Sequence, residues 1–421
     1  MRIDAGVCSY KKEPLKNPFG FKGSALTCLW QTRVELRGEE KLGVGLGVQS
    51  VLWSDAGVFQ AYGEDAGNRM MWKTTEYAVN LCRGLEVSSP LSLLDEIFPQ
   101  VYAYARKITG REDLRTTFVL NALVPLDFAA WQLWVLENGV EEFKNICAFD
   151  GQRQQRLANI PLITYATSLS KVVRLAEEGT PLLKIKIGSN PKGDNDLDAM
   201  LEWDKKRLLE IHNAVKDVKT AYTDNGHIFY YLDANGRYDT KQRLESLLDF
   251  AAQQGILERI LLLEEPFDEE NRVSVGALPV CVAADESAHC VADVKERFSL
   301  GYRALTLKPI AKTLSMTLRM ADYARQVGMA CFCADLTVNP VMVTWNQWVA
   351  ARLNCLPHMK HGVIESNGDQ NYVNWERMQA DHPLSGEAFT KCKNGVFSLG
   401  KLFYETNGGI FLQPKEWSVE L

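Results

Sequence analysis

Ionisable residues recur at one point of a repeating pattern in this chain. Short apolar runs end in Lys184 and Lys186 ("LLKIKIG"), Asp233 ("YLDANGRY"), Glu264 and Glu265 ("LLLEEPF"), Asp285 and Glu286 ("AADES"), Lys308 ("LTLKP"), Asp335 ("CADLT") and Glu365 ("VIESNG"). Alternation with period two places Lys184 and Lys186 on one face of a strand and Leu183, Ile185 and Ile187 on the other. Two ammonium groups on one face repel, so the position demands a counter-charge. Asp233, Glu264 and Asp285 come from three successive runs and would converge. Such acids cannot all stay ionised without a cation, and a hard divalent ion that prefers oxygen ligands, magnesium first, meets that need. A single acid would be read as a helix cap or a lysine's partner; the repetition favours the metal. In "EEP" and "DES" neighbouring side chains point to opposite faces, so only one of each pair is available to the ion. Lys186 lies on the run before the acids and Lys308 on the run after them, and lysines so placed can accept protons when positive neighbours, here Lys184 and the metal, lower their pKa.

The elements that must hold these residues follow from the spacing. From about residue 160 to 370, eight strand-like runs ("PLITYAT", "LLKIKIG", "IFYYLDANG", "ILLLEEPF", "VCVAADES", "RALTLKPI", "ACFCADLT", "HGVIESNG") alternate with amphipathic segments such as "DTKQRLESLLDFAAQQGI". This order predicts parallel strands with right-handed crossovers, hence a (β/α) barrel whose active site sits at the C-terminal strand ends, with a doubly wound open sheet as the alternative. About 40 residues separate the second run from the third, which implies an elongated or doubled helical connection. Before the barrel, "ALTCLWQTRVELRG" and "KLGVGLGVQSVLW", joined by the charged turn "RGEEK", predict a hairpin, and "WQLWVLENGVEEFKNICAFD" has helical spacing. The expected organisation is an α+β unit over 1–150, the barrel over 151–370, and a segment over 371–421 that returns to the first unit.

Composition narrows the class of function. The 421 residues carry 47 basic and 53 acidic side chains, a net charge of −6 with no basic block, so neither nucleic acid nor an anionic membrane is an expected partner. No run approaches the roughly 18 uninterrupted apolar residues of a membrane span, and residues 1–20 lack the apolar core of a signal peptide, so a cytoplasmic setting is expected. The ten scattered cysteines lack the paired spacing of a zinc site, and "CFC" at 331–333 reads as strand packing. A small-molecule partner remains.

"KIK", "DANGRY", "EEPF", "ADES" and "LKP", in that order on successive strands, resemble the enolase superfamily, in particular the mandelate racemase and muconate lactonizing enzyme branch with o-succinylbenzoate synthase and the dipeptide epimerases. The resemblance implies a modified (β/α)7β barrel of TIM type with an N-terminal α+β capping domain. It implies that Asp233, Glu264 and Asp285 bind Mg2+, that Lys186 is the base on one face of a carboxylate substrate and Lys308 its counterpart on the other, and that Lys184 assists Lys186 or contacts the substrate carboxylate. Removing the α-proton yields an enediolate, and two lysines on opposite faces would give racemisation or epimerisation of an amino-acid derivative or dipeptide. If one lysine serves only as a cation, the same chemistry gives a lyase, dehydratase or cycloisomerase; a metal-free Schiff-base aldolase is the reading from another class.

Departures from the family pattern bear on the substrate. Dipeptide epimerases carry Asp-x-Asp on the eighth strand, where this chain reads "ESNG" with Glu365 and Asn367 as candidate substrate contacts. The mandelate racemase His of the seventh strand is missing from "ACFCADLT", and His361 is read as a surface or supporting residue. The long second connection resembles the methylaspartate ammonia-lyase relatives. Capping loops around 16–23 and 48–55 would contribute Phe19, Phe21 and Trp53, either closing over the substrate or packing within the first domain. A homo-oligomer is expected.

Overall fold

The structure, a computed structural model, describes residues 1–21, 24–141, 143, 153–190, 192–193 and 195–415, with the backbone alone at 19–21. The chain opens with three antiparallel strands in the order β1 (Ala5–Phe21), β2 (Ser24–Arg37) and β3 (Leu42–Gln49). The hairpin expected between 24 and 49 is β2–β3. The segment read as a loop from residue 16 instead continues β1, with a break in register between Pro14 and Phe19, so most of that capping loop is the tip of the β1–β2 hairpin.

Helices Ala56–Leu81, Pro90–Thr109 and Thr116–Asn138 cover this sheet. The last of them is by length and composition apolar enough to cross a membrane, yet most of it is buried inside the protein. It is a core helix. It comes this close to the sheet because "GVGLG" places Gly43, Gly45 and Gly47 on one face of β3. A Cβ at Gly43 or Gly45 would collide with the carbonyl of Ala129 or Pro125, and one at Gly47 would lie 2.6 Å from Pro125 Cδ.

Among the described residues ten further strands form the second sheet: β4 (Arg156–Asn159), β5 (Leu162–Ile163), β6 (Leu182–Lys186), β7 (Phe229–Asp233), β8 (Ile260–Glu264), β9 (Val282–Ala284), β10 (Ala304–Leu307), β11 (Ala330–Cys333), β12 (Gly362–Ile364) and β13 (Val396–Ser398). Their order is β13-β4-β12-β11-β10-β9-β8-β7-β6-β5. All eight strands read from the sequence are present as β5 to β12. The sheet closes through a run that the sequence reading took only in part: β4 pairs with β12, β5 pairs with β6, and Ile160 and Pro161 alone separate them. Ile160 N–H donates to Ile364 O at 2.9 Å, and Pro161 O accepts from Lys184 N at 3.2 Å. One bent strand thus joins the two edges, and the open-sheet alternative falls away.

Inside the barrel, Leu182, Phe229, Tyr231, Ala283, Ala304, Phe332 and Val363 form an apolar plug, while Leu183, Ile185, Tyr230, Leu232, Leu305 and Cys333 pack outward on the helices. Period-two alternation therefore holds on both faces. Helix Lys241–Gln253 begins at the Thr240 cap, as its Asp-Thr start predicts. Among the described residues the long connection after β6 holds one elongated helix, Leu197–Val215. The crossover from β8 to β9 carries no helix, which interrupts the regular alternation. Towards the C-terminus the strand-like "GVFSLGKLFYE" divides: β13 pairs antiparallel with β4 in the barrel sheet, and Gly400–Thr406 is helical. "GGIFLQP" contains no strand, but Ile410 O and Leu412 O accept from Gln132 Nε2 of the capping helix at 3.3 and 3.0 Å.

Substituting Gly45 by Val is expected to lower stability by about 3 kcal/mol or more, since the helix backbone must move to admit the side chain. Gly84→Ala, at φ +81° with nothing within 4 Å of a new Cβ, should cost only the left-handed strain of about 1–2 kcal/mol. Urea denaturation of the two variants reads the difference.

Candidate active site

Strand register assembles the polar end of the barrel. β6 sets Lys184 beside Tyr231 and Lys186 beside Asp233, β7 sets Asp233 beside Glu264, and β8 sets Glu264 beside Ala283, two residues before Asp285. Lys308 directly follows β10 and Glu365 directly follows β12. In the closed ring β6 and β10 are four strands apart, so Lys186 and Lys308 face each other across the mouth.

Lys184 lies at the centre. Its Nζ is 3.0 Å from Asp233 Oδ2, 3.1 Å from Glu264 Oε1 and 3.2 Å from Glu365 Oε2, and it stands 4.7 Å from the centre of the Tyr231 ring. Burial alone would lower its pKa, but Asp233, Glu264 and Glu365 hold it well above the usual lysine value. Lys186 Nζ donates to Asp233 Oδ2 at 2.6 Å and to Asn235 Oδ1 at 2.5 Å. The repulsion read from "KIK" is bridged by that shared oxygen, so the charge of Lys184 is met by three carboxylates and does not bear unopposed on Lys186. For Asp233 burial acts upward, yet the two ammonium groups bring its pKa down to about 2.

On the far side Lys308 Nζ donates to Asp285 Oδ2 and lies 4.7 Å from the centre of the Trp53 ring. Burial works against its charge, while Asp285, Glu286 and Glu264 raise its pKa above the ordinary value. Lys312, four residues on and fully buried, donates to Asp285 O at 2.6 Å and to Oδ1 at 3.2 Å. Glu264 also accepts from Tyr231 OH and, at 2.8 Å, from Thr306 Oγ1; burial, the largest influence, leaves its pKa raised. Glu265 points away from the mouth, as alternation predicts for one member of "EEP", and its Oε2 accepts from Asp285 N, Ser287 N and Ser287 Oγ at 2.8, 3.1 and 3.0 Å. Burial, with Glu286 adding to it, pushes its pKa up to about 8.

A divalent cation suits this end of the barrel by donor chemistry. Asp233, Glu264 and Asp285 offer hard oxygens from successive strands, and the Lys184 ammonium between Asp233 and Glu264 marks a place where positive charge is already accommodated. Glu286 adds a buried Oε2 that has no hydrogen-bond partner among the described residues, its Oε1 being held by Asn235 Nδ2 at 2.9 Å. Among the described residues no three acidic or imidazole side chains stand together as a finished ligand set. The physical reason is that the oxygens of Asp233 and Asp285 are turned onto lysine nitrogens.

A cavity of about 870 Å³ opens over these groups, between the barrel mouth and the capping domain. Lys184, Lys186, Asp233, Asp285, Lys308, Glu365, Asn367 and Trp53 all line it, as do Leu15, Pro18 and Leu26 from the β1–β2 hairpin. Glu264 is buried beneath it. The side chains of Phe19 and Phe21 lie outside the described residues. Glu365 Oε1 accepts from Asn367 Nδ2 at 3.5 Å, and the Asn367 amide N–H donates to Asp335 Oδ2 at 2.8 Å. His361 precedes β12 and so sits at the opposite end of the barrel, with its ring 5.7 Å from that of Tyr222.

Asp335 and Arg237 in the cavity, and Lys312 against Asp285, are among the residues to which sequence reasoning assigns no role. Asp335 ends an apolar run like the other candidates; burial, then Glu365, raises its pKa to about 7. Arg237 sits inside the "DANGRY" motif itself. Lys312 had no signal, because a lysine four residues into a helix start looks like a solvated charge.

The family model described as Enolase C-terminal domain-like matches residues 168–387, more than half of the chain. No curated protein sequence matches. Among solved structures, a dipeptide epimerase from Enterococcus faecalis V583, complexed with Mg and the dipeptide L-Leu-L-Tyr, superposes with a TM-score of 0.65 at 17% identity over 95% of this chain and 98% of that one. The L-Ala-D/L-Glu epimerase from Bacillus subtilis gives 0.66 at 14% identity over 94% and 96% of the two chains, and an N-succinyl Arg/Lys racemase from Bacillus cereus ATCC 14579 gives 0.63 at 14% over 89% of each. At these identities the likeness speaks for the fold, whereas the sequence match carries the kinship: the chain belongs to the Enolase C-terminal domain-like family and, with it, to the mandelate racemase and muconate lactonizing enzyme branch of the enolase superfamily.

Proposed function

We propose that this protein is a magnesium-dependent racemase or epimerase that removes the α-proton of a carboxylate substrate and returns it from the opposite face. The observation that carries this reading is the pair Lys186 and Lys308, which end strands four apart and line one cavity from opposite sides. Structural relatives that include dipeptide epimerases and an N-succinyl Arg/Lys racemase agree with it.

Asp233, Glu264 and Asp285 would hold the cation. When bound, it supplies fixed positive charge beside the substrate carboxylate, where negative charge develops as the proton leaves. The residues of the chain do the rest. Lys186 Nζ, released from Asp233 and Asn235, takes the proton on one face. Lys308 Nζ, whose charge its acidic neighbours favour, gives one on the other, and in the reverse direction the roles exchange. Lys184 stays charged and orients carboxylate groups. Trp53 and the hairpin residues above the mouth restrict water, which strengthens each electrostatic contact. Elimination or cycloisomerisation by the same groups is the second reading, and the raised pKa of Lys308 favours it to the extent that a permanent cation suffices there.

Proton NMR in deuterium oxide with magnesium and a library of chiral carboxylates tests the proposal. The wild type should exchange the α-proton of both enantiomers of its substrate, and a new vinyl signal would support the lyase instead. Lys186→Ala should lose exchange from one enantiomer and Lys308→Ala from the other, each by about 10²–10⁴-fold. Exchange of both enantiomers by Lys186→Ala would defeat the two-base reading. Removal of metal with EDTA should abolish exchange, and Asp233→Asn should raise the magnesium concentration needed to restore it by ~10-fold or more.

A further inference from the structure

The proton-transfer reading leaves two cations of the cavity without a task, Lys171, whose Nζ donates to Gln370 Oε1 at 3.3 Å, and Arg237. Arg237 follows Asp233 by four residues, is half-buried, and lines the cavity together with Lys186, Ser189 and Tyr165. Its backbone is held at both sides: its N–H donates to Ala234 O at 3.1 Å, and it forms an isolated bridge with Phe267. Its stem lies on Gly188, two residues past Lys186, where a Cβ would fall 2.8 Å from Arg237 Cβ and 3.5 Å from Cγ. The guanidinium is thereby brought to the mouth on the β6–β7 side.

Among the described residues this guanidinium makes neither a hydrogen bond nor an ion pair. Other arginines of the chain behave differently: Arg115, Arg243, Arg272 and Arg319 each meet a carboxylate. The acid that feels the charge of Arg237, Asp204, is engaged elsewhere, with its Oδ2 accepting from Gly188 N at 2.7 Å and from Tyr238 OH at 2.8 Å. Tyr165 OH donates to Ile187 O at 2.8 Å and offers no acceptor that pairs with the guanidinium here. A guanidinium presents five donors in a planar fork, remains charged, and matches a carboxylate with two parallel hydrogen bonds. The cavity is also polarised: Tyr165, Ser189, Lys171 and Arg237 carry no acid between them, whereas Asp335 and Glu365 stand on the β11–β12 side, which lies across the ring from β7.

We propose that Arg237 binds a second carboxylate of the substrate, so that the substrate class is a dicarboxylate: an acid activated at its α-carbon whose far end carries another carboxylate. This rests on reading the mouth as the site of α-proton removal. The cavity volume of about 870 Å³ lies within the range of small-molecule sites, roughly 300–1,000 Å³, and leaves room for such a chain.

Calorimetric titration of the magnesium-loaded protein with glutarate and with butyrate tests the subsite without turnover. The wild type should prefer glutarate, and in Arg237→Ala the ratio of glutarate to butyrate affinity should fall by about 10–100-fold, as expected for the loss of charge-assisted hydrogen bonds. Arg237→Lys, which keeps the charge without the fork, should recover part of the ratio, and Arg237→Gln should behave as the alanine variant. An unchanged ratio in both Arg237→Ala and Arg237→Gln, or no preference in the wild type, overturns the proposal. The two readings fail separately. A ratio lost with Arg237 in a protein that exchanges no α-proton from any carboxylate keeps the subsite and removes the proton-transfer function; exchange that depends on Lys186, with a ratio indifferent to Arg237, removes the subsite alone.

Discussion

The ammonium of Lys184, held among Asp233, Glu264 and Glu365, is the contact on which the mouth of the barrel depends. Taking so many charges out of water is costly, and only mutual pairing offsets the cost. Removing one partner of such a cluster leaves the others buried and uncompensated, a loss of about 3–5 kcal/mol for a single pair. The pairing in turn requires that Lys186, Asp233 and Glu264 stand level on adjacent strands, which is what the register of β6, β7 and β8 provides. A one-residue slip would send these side chains to the outer face and the apolar ones into the mouth.

The capping domain is tied to the same region by polar contacts at its barrel-facing side. Asp127, on the core helix, accepts from Leu314 N and Ser315 N at 2.8 and 3.1 Å, at the start of helix Leu314–Gln326, the second of two that follow Lys308. Burial raises the pKa of Asp127 to about 6, against the pull of these donors. Arg115 pairs with Glu269 at 2.5 Å in the β8–β9 crossover and reaches the carbonyls of Trp53 and Glu286 at 3.4 Å each. Trp53, which stacks over Lys308, is therefore positioned by the same arginine that binds the barrel loops. The glycine face of β3 makes this possible by letting the core helix lie low enough to span cap and barrel.

The chemistry of the mouth is denser than its parts list suggests. Asp285 serves two lysines, Asp233 two more, and Glu265 braces the backbone of Asp285 and Ser287 from behind. Each carboxylate is aimed by more than one donor, a preorganisation that fixes where a cation or substrate carboxylate can enter. Arg237 stands apart from this network, which is why its charge is available to a ligand.

What the sequence by itself determined is local and periodic. Alternation decided which face each strand residue takes, the repeated charge at strand ends located the mouth, and the order of lysines and acids announced the family. Eight strands and the inward set Lys184, Lys186, Asp233, Glu264, Asp285, Lys308 and Glu365 were legible for that reason. The tertiary structure alone decided which charges meet. That Lys184 draws together acids from three other strands, that Lys312 is buried against Asp285, that the barrel closes through a bend at Ile160 and Pro161, and that β13 joins the barrel sheet all depend on contacts between residues far apart in the chain. Burial and partner choice belong to the whole packed molecule, and an apolar run or a lone lysine carries no local mark of them.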